Sequence, residues 1–310
     1  MNILITGGAG FIGSHIADAC LEEGHQVIII DNLSTGRKEW VNEQTYLYQG
    51  DICLREVWDD VFQDHEIDII IHQAAHIDLR QSLEDPVYDA QVNIQGSLLV
   101  FDYAHRYQVK KVIMASTGGA MYGDTDIIPT SESHLAQPLS PYGITKLTME
   151  RYAQVYAREF TLPFVVLRYA NVYGPRQNAH GDAGVIAIFT QRLLTGEPCF
   201  INGEGTNTRD YVYVDDVVQA NIGAMNNDVQ GIFNVGTGKE TSVQRIFDLL
   251  KEYTGSDQSC QYRPLHQQEQ QRSCLDSQAL REAGGWYPQV DLEEGLEKTV
   301  DWFRHYKNLL

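Results

Sequence analysis

The segment ILITGGAGFIG (residues 3–13) carries Gly7, Gly10 and Gly13 in a GxxGxxG pattern, directly after an apolar run and at the start of a helical pattern. Glycines at such a turn let the backbone come close to a pyrophosphate, which the N–H groups at the start of the following helix can bind. An ordinary tight turn between a strand and a helix is the alternative. The apolar strand before the loop and the helix after it favour a dinucleotide-binding site.

Short β-branched runs alternate with helical patterns through the first two-thirds of the chain. Strands are predicted at 3–6, 26–30, 68–72, 110–115 and 164–168, and helices at 11–23, 53–63, 86–107 and 141–159. The strands are nearly continuous Ile and Val, as is typical of parallel strands that are buried on both faces. The pattern therefore predicts an α/β fold with a Rossmann-type, doubly wound parallel sheet.

An acidic residue at the end of the second predicted strand indicates which dinucleotide would bind. Asp31 lies 18 residues after Gly13, where a carboxylate can accept hydrogen bonds from the ribose hydroxyls of adenosine. It would repel a 2′-phosphate, so NAD is favoured over NADP. The alternative is a simple turn residue beside Asn32. Asp51 and Ile52 are candidate contacts of the adenine.

The pattern of loops and helices changes after residue 168. Loops lengthen and carry Gly, Pro and Asn, and further helices are predicted near 183–195, 214–226, 242–254 and 292–307. We therefore expect an NAD-binding domain over 1–168 and a smaller C-terminal α/β domain for the substrate, mainly over 169–310. A segment at about 209–237 is expected to return to the first domain.

Length and charge exclude several classes of protein. A chain of 310 residues favours two packed regions. Its net charge of −19 argues against nucleic acid and anionic membrane surfaces as partners. No apolar run approaches the ~18 residues that span a bilayer, and Met1 precedes the first strand directly, which leaves no room for a signal peptide. Five scattered cysteines without a CxxC motif favour reduced thiols in the cytoplasm and no metal site.

A tyrosine and a lysine four residues apart in SPYGITK (140–146) suggest proton transfer. Tyr142 and Lys146 would share one face of a helix. Ser140 fits an N-cap and Pro141 a first helical residue, which places Tyr142 in the first turn. The neighbouring ammonium and the helix dipole are expected to lower the pKa of Tyr142 from its ordinary value of about 10. A chance YxxxK spacing on a solvated helix is the alternative.

Motifs that run through nearly the whole chain point to one family. They are TGGAGFIG (6–13), DNLSTG (31–36), HQAAHIDLRQSLEDP (72–86), VNIQGS (92–97), STGGAMYG (116–123), SPYGITK (140–146), RYANVYGPRQ (168–177), RDYVYVDD (209–216) and FNVGTG (233–238). Together they resemble the extended short-chain dehydrogenase/reductase family, in its NAD-dependent epimerase/dehydratase branch. DNLSTG and RQNAHGDAGVIAIF (176–189) are most similar to UDP-glucose 4-epimerases.

The resemblance implies a reaction in which a hydride leaves and returns. Tyr142 would act as the base that takes the proton of the sugar 4-hydroxyl, while Lys146 holds the nicotinamide ribose. A transient 4-keto sugar would turn over and be reduced on its other face, giving C4 epimerisation of a UDP-hexose. UDP-glucose and UDP-galactose are expected, with UDP-GlcNAc and UDP-GalNAc as further candidates. Epimerisation of another nucleotide sugar, such as a UDP-uronate, and a non-catalytic NAD-binding regulator remain as alternatives.

A third catalytic hydroxyl is expected just before the pair Tyr122-Gly123. The family's usual position for it falls on Gly118, which has no side chain to donate. Thr117 is the expected substitute, and Ser116 is the fallback. The 4,6-dehydratases of the same family carry an Asp-Glu pair here, which eliminates water. This chain has Gly118, Gly119 and Ala120 instead, which argues against dehydratase activity.

The remaining binding residues follow from the same resemblance. The expected NAD contacts are Gly7, Gly10, Phe11, Ile12, Gly13, Asp31, Asn32, Asp51, Ile52, Ala74, Ala75, Asn93, Tyr142 and Lys146. The expected substrate contacts are Thr117, Asn171, Val185, Phe200, Arg209, Arg272 and Ser273. The resemblance also implies a homodimer, through helices at 86–107 and 141–159.

Individual roles in the substrate site differ. Arg209 and Arg272 match positions that contact the diphosphate, with ordinary surface ion pairing as the alternative. Asn171 is expected near the sugar diphosphate, and Val185 and Phe200 on either side of the uracil. Ser273 is small enough to leave room for a C2 acetamido group. His180 is interpreted as a loop former rather than as a base.

Overall fold

A seven-stranded parallel sheet forms the centre of the molecule. The structure is a computed structural model that describes residues 1–179, 184–226, 228–264 and 270–306. The strands of the sheet lie in the order β11-β6-β5-β4-β1-β2-β3. They are β1 (Asn2–Thr6), β2 (Gln26–Asp31), β3 (Tyr46–Gln49), β4 (Ile69–His72), β5 (Lys111–Thr117), β6 (Phe164–Tyr169) and β11 (Gly231–Val235). The predicted Rossmann-type α/β fold is confirmed.

The helices that cover this sheet and those that follow it come from amphipathic segments. They are α1 (Phe11–Glu22), α2 (Arg55–Asp64), α3 (Leu79–Glu84), α4 (Pro86–Ala90), α5 (Gly96–Arg106), α6 (Pro141–Phe160), α7 (Val185–Thr195), α8 (Val214–Asn226), α9 (Val243–Thr254), α10 (Gln278–Gly284) and α11 (Leu292–Tyr306). Within the described ranges, each helix is too short or too polar to cross a membrane.

Two apolar layers hold the sheet between its helices. Successive side chains of β1 point to opposite faces, so Ile3 and Ile5 pack with α1 and α8, whereas Leu4 packs on the other side. That second layer contains the fully buried Trp58 of α2 and Phe101 of α5. Each such buried side chain contributes about 1.5–3 kcal/mol to folding.

Short strands outside the central sheet frame a smaller region. They are β7 (Asn171–Tyr173), β8 (Phe200–Asn202), β9 (Thr208–Arg209), β10 (Tyr211–Tyr213), β12 (Thr241–Ser242), β13 (Gln261–Arg263) and β14 (Arg272–Ser273). They pair as β7 with β10, β8 with β13, and β12 with β9 and β14. A separate apolar cluster, which includes Phe189, Phe247 and Val300, joins α7, α9 and α11.

The predicted helix at 86–107 is interrupted. α4 and α5 are joined by a π-helical segment, Gln91–Gln95, so the helix is wider in its middle. Such widened turns are frequent at functional sites. Asn93, at the centre of the segment, faces the site described below.

Candidate active site

The Gly-rich loop forms a cradle at the start of α1. Gly7 has φ +70°, and a Cβ added there would lie 2.7 Å from the backbone nitrogen of Ala74. A Cβ at Gly13 would lie 2.1 Å from the carbonyl oxygen of Gly7. Because the N-cap is Gly10, the helix has no capping side chain there, and the N–H groups at Phe11, Ile12 and Gly13 point along its axis. The cradle fits a pyrophosphate.

Asp31 is positioned by the loops on both of its sides. It ends β2, and its two carboxylate oxygens accept hydrogen bonds of 2.9 Å from the N–H of Ala9 and 2.8 Å from the N–H of Leu33. Burial raises the pKa of Asp31, and these two N–H groups oppose that shift. Each carboxylate oxygen has a second lone pair. The residue can thus join the Gly-rich loop and still accept bonds from a ribose.

Several expected cofactor residues also hold the backbone of the site. Asp51 accepts a 2.8 Å bond from the N–H of Cys53, and Ile52 is buried beneath α5. Asn93 is buried and binds both backbone groups of His76, accepting from its nitrogen and donating to its oxygen, at 2.9 Å each. Asn93 therefore fixes the loop that follows Ala74 and Ala75. Asn32 caps the turn after Asp31 through a 3.0 Å bond from Ser34.

The start of α6 has the predicted geometry. Ser140 is the N-cap and accepts a 3.1 Å hydrogen bond from the N–H of Gly143, and Pro141 is the first helical residue. Tyr142 is half-buried in the first turn. One turn later, Lys146 is 3% exposed, and its Nζ donates a 3.1 Å bond to the carbonyl oxygen of Ala115 on β5. The ammonium lies 6.0 Å from the centre of the Tyr142 ring.

The pKa of Tyr142 shifts in the direction opposite to the expected one. Burial raises it, Asp89 raises it further, and a hydrogen bond with Thr117 opposes these effects. In the protein alone, the loss of hydration around the phenol outweighs the neighbouring ammonium. Burial lowers the pKa of Lys146 to about 8, against the charges of Asp89 and Glu150. In the protein alone Tyr142 is therefore a neutral phenol, beside an ammonium that burial makes easier to deprotonate.

Thr117 and Ser116 point to opposite sides of β5. Ser116 is buried and donates a 2.6 Å hydrogen bond to Glu150. Thr117 faces Tyr142, and its Oγ1 accepts a 3.1 Å bond from the N–H of Ala120. The Thr117 hydroxyl is also hydrogen-bonded to Tyr142, so it joins the end of β5 to the phenol.

The two arginines expected at the diphosphate are both held in place. Nη2 of Arg209 donates a 2.7 Å bond to the carbonyl oxygen of Gln270. Arg272 forms a two-bond ion pair with Glu240, with Nε 2.9 Å from Oε1 and Nη2 2.5 Å from Oε2. Residues 208 and 209 of β9 pair with residues 272 and 273 of β14, so the two guanidinium groups start from neighbouring strands.

The remaining substrate residues lie on elements around the same strands. Phe200 is half-buried, and the guanidinium of Arg263 lies 3.3 Å from its ring centre. Val185 is the first residue of α7, and Ser273 is 7% exposed. A Cβ added at Gly119 would lie 3.7 Å from Oδ1 of Asn171 and 4.0 Å from Oγ1 of Thr117, so both polar groups border Gly119. His180 lies outside the described residues.

Two buried acids near the pair are absent from the expected set. Glu150 is bound through two hydrogen bonds by Arg168, at 2.9 and 2.6 Å. Asp89 is fully buried beside the first turns of α6. Helical spacing could have found both, because Glu150 follows Lys146 by four residues and Asp89 precedes Asn93 by four. In the described ranges, no group of three His, Cys, Asp or Glu side chains could hold a metal ion.

Known proteins match this arrangement over nearly the whole chain. A UDP-glucose 4-epimerase of Thermotoga maritima, solved with UDP-glucose, is 48% identical with a TM-score of 0.97 and 100% of both chains covered. A Thermus thermophilus UDP-glucose 4-epimerase complex with NAD is 40% identical, with a TM-score of 0.94 and 98% and 99% of the two chains covered. A Mycolicibacterium smegmatis UDP-glucose 4-epimerase is 39% identical over 310 residues, covering 98% of this chain and 99% of the relative.

Family membership rests on these matches and on the signature of the family itself. The signature described as "NAD dependent epimerase/dehydratase family" matches residues 3–236, which include the Gly-rich cradle, Asp31 and the Tyr142–Lys146 pair. The relatives extend the match to the C-terminal strands and helices. With the nucleotide cradle, the proton-transfer pair and the whole-chain similarity in agreement, the protein belongs to the NAD-dependent epimerase/dehydratase family.

Proposed function

We propose that the protein is an NAD-dependent UDP-hexose 4-epimerase. The observation that carries the proposal is the contact between Thr117 and Tyr142, one helical turn from Lys146 and without an acid at 118–120. This arrangement can move one proton at one oxygen. The side chains of Gly118, Gly119 and Ala120 can neither donate nor accept a proton, as the elimination of water from a 4-keto sugar requires.

The proposed roles of the side chains follow from their positions. Thr117 donates to the sugar 4-oxygen, and Tyr142 takes the proton of the 4-hydroxyl and later returns it. Lys146 holds the nicotinamide ribose and contributes positive charge. NAD held in the Gly-rich cradle would supply the acceptor, and later the donor, of the C4 hydride. Ser116, which is committed to Glu150, is not the third hydroxyl in this proposal.

The nucleotide sites are proposed on the same basis. Gly7, Gly10 and Gly13 with the first turn of α1 would hold the NAD pyrophosphate, and Asp31 the adenosine ribose. The other expected cofactor contacts are Phe11, Ile12, Asn32, Asp51, Ile52, Ala74, Ala75 and Asn93. For the UDP-sugar, we propose Asn171, Arg209 and Arg272 at the diphosphate, and Val185 and Phe200 at the uracil.

We further propose that the site accepts N-acetylated hexoses as well as glucose and galactose. Ser273 is small and buried, and it lies beside the Arg209 strand in register with Arg209 itself. A small side chain there leaves space that a tyrosine would fill. Turnover of UDP-GlcNAc can be compared with that of UDP-glucose. Complete inactivity on the acetamido sugar would contradict this part of the proposal.

A homodimer in the cytoplasm is the proposed working form. Large apolar side chains are exposed on the helices expected at the interface, among them Val87 at 76% and Ile144 at 53%. Covering such a surface with a second copy would remove it from water. All five cysteines are free thiols, which fits a reducing compartment. Light scattering of the purified protein gives its mass, and a monomer would contradict the dimer.

The activity is tested with a panel of UDP-sugars and no added cofactor. UDP-glucose, UDP-galactose, UDP-GlcNAc and UDP-glucuronate are incubated with the purified protein, and the C4 epimers are separated by chromatography. We expect interconversion of glucose and galactose, because NAD is regenerated in each cycle and can stay bound. Turnover of UDP-glucuronate alone would favour the uronate epimerase. A Tyr142→Phe variant that keeps the wild-type rate would rule out the proposed base.

A further inference from the structure

Asp89 is a buried carboxylate within the helices that surround the proton-transfer pair. It lies on α4 at 0% exposure. Oδ2 accepts a 2.9 Å hydrogen bond from the hydroxyl of Thr145, and Oδ1 accepts a 3.1 Å bond from the amide of Asn93. Nδ1 of His76 lies 2.9 Å from Oδ1. Three polar partners hold both carboxylate oxygens in place.

This carboxylate lies directly against the turn of α6 that carries the pair. Thr145 stands between Tyr142 and Lys146 in the sequence, and its hydroxyl is 2.9 Å from the carbonyl oxygen of Tyr142 as well as from Asp89. Asp89 therefore has a fixed place relative to both members of the pair. A single buried charge at such a position acts on both of them at once.

The effect of Asp89 has the same sign on both residues. Burial raises the pKa of Tyr142, and Asp89 raises it further. Burial lowers the pKa of Lys146 to about 8, and Asp89 is the first of the charges that oppose this. A negative charge favours the neutral phenol over the phenolate and the ammonium over the amine.

We propose that Asp89 is a positioning residue that supplies the fixed negative charge of the Tyr142–Lys146 pair. It keeps Lys146 an ammonium within a buried site, and it keeps Tyr142 a phenol until positive charge enters. This inference rests on the epimerase function proposed above and deepens it.

The proposed arrangement suits a reaction in which the proton taken from the sugar 4-hydroxyl is later returned to the sugar. A buried phenol beside a negative charge gives up its proton when compensating positive charge arrives, and it binds the proton again when that charge is lost. The oxidised nicotinamide carries such a charge, and the reduced one does not. With that charge present, Tyr142 would release its own proton to solvent, then take the proton of the sugar 4-hydroxyl and hold it while the 4-keto sugar is present.

Other ionisable groups near the pair do not replace Asp89. Glu150 also raises the pKa of Lys146, but its charge is compensated by the two-bond ion pair with Arg168. His72 is buried, and burial together with Lys146 lowers its pKa to about 3, so it is neutral at working pH. His76 contacts Oδ1 of Asp89 through Nδ1, at 2.9 Å.

Asp89→Asn removes the charge and keeps the size of the side chain. Activity needs Tyr142 to lose its proton and Lys146 to keep its own, so kcat/KM rises with pH through the first ionisation and falls through the second. Without Asp89 both groups lose their protons more easily. We therefore expect both limbs of the profile of the NAD-loaded enzyme to move to lower pH, by more than the error of the fit.

A second measurement follows Tyr142 without turnover. The ultraviolet absorbance of the phenolate is measured as a function of pH with NAD bound. Each protein is compared with the same protein carrying Tyr142→Phe, so that the difference spectrum reports Tyr142. In the Asp89→Asn background the Tyr142 step is expected at lower pH than in the wild type. Equal midpoints would overturn the inference, whatever the catalytic rates.

Thr145→Val is the matched control. It removes a hydrogen bond to Asp89 but no charge, so it should lower the thermal midpoint and leave both limbs in place. Asp89→Ser, which also removes the charge, is expected to shift the profile as Asp89→Asn does and serves if the amide variant does not fold. If the pH profile of Thr145→Val moves as far as that of Asp89→Asn, the role of Asp89 is only structural. A wild-type enzyme without epimerase activity would reject the proposed function, whereas the spectroscopic titration would still decide on Asp89.

Discussion

A Cβ atom at Gly118 would lie 2.3 Å from Cδ1 of Leu275. Leu275 follows β14, is 1% exposed, and packs against Met121 and Tyr122. The position where the family resemblance expects a hydroxyl is thus closed to any side chain while Leu275 occupies its present place. This contact explains physically why Thr117, one residue earlier on β5, is the hydroxyl that reaches Tyr142.

Gly118→Ser is expected to destabilise the protein by about 1–3 kcal/mol, because the new Cβ overlaps a buried leucine. The double variant Gly118→Ser with Leu275→Ala gives the serine room, so it should lose less stability than the sum of the losses in the two single variants. Leu275→Ala alone is the control, since it measures the cost of the cavity. A single Gly118→Ser variant as stable as the wild type would contradict the close contact.

Thr117→Val and Ser116→Ala separate the two hydroxyls of β5. The valine keeps the shape of Thr117 and removes its hydrogen bonds, so kcat for UDP-glucose should fall by about 10²-fold with little change in the thermal midpoint. Ser116→Ala should do the reverse, because it deprives the buried Glu150 of a donor and leaves the reacting oxygen untouched. Rates and melting curves measured on both variants decide between the hydroxyls, and the opposite outcome would assign the role to Ser116.

The sheet and the proton-transfer pair could be predicted because each depends on local patterns. β-branched runs marked β1, β2, β4, β5 and β6 to within a residue or two, and Ser140 and Pro141 marked the start of α6. The contact of Asp89 with Thr145, and the roles of Glu240 and Leu275, could not be assigned in this way. Each of these residues acts through a partner that is distant in sequence, and no spacing in the chain records those contacts.

The pKa of Tyr142 shows the same limit. Its spacing from Lys146 correctly placed the two residues one turn apart, but the expected lowering of its pKa was wrong for the protein alone. Burial is the largest cause of the shift, and it depends on how β5, α4 and α6 close around the phenol. A sequence specifies such packing through many weak contacts, which one motif does not contain.

Glu240→Gln should strengthen binding of the UDP group. Glu240 now holds Arg272 in a two-bond ion pair and adds a negative charge near the expected diphosphate site. The amide removes that charge and frees part of the guanidinium, so the Kd for UDP should fall by up to about fivefold, the usual range for an exposed ion pair. Calorimetric titration measures the change, and Arg272→Gln is the matched control that should weaken binding. Weaker binding in Glu240→Gln would mean that the carboxylate orients the arginine productively.

Lys146→Met should change how the stability of the protein depends on pH. The folded pKa of Lys146, about 8, is below its unfolded value of 10.5, so between these values the unfolded chain binds the extra proton. The free energy of unfolding contributed by this group therefore rises with pH across that window, by about 3 kcal/mol in total. Methionine carries no proton, so the rise is lost, and the variant should be more stable than the wild type at pH 7 by a margin that shrinks toward pH 10.5. Urea unfolding of both proteins at several pH values measures the difference between their free energies of unfolding. The contributions of the other ionisable groups are the same in both proteins and cancel in this difference. A difference that stays constant with pH would mean that Lys146 keeps its ordinary pKa in the folded protein.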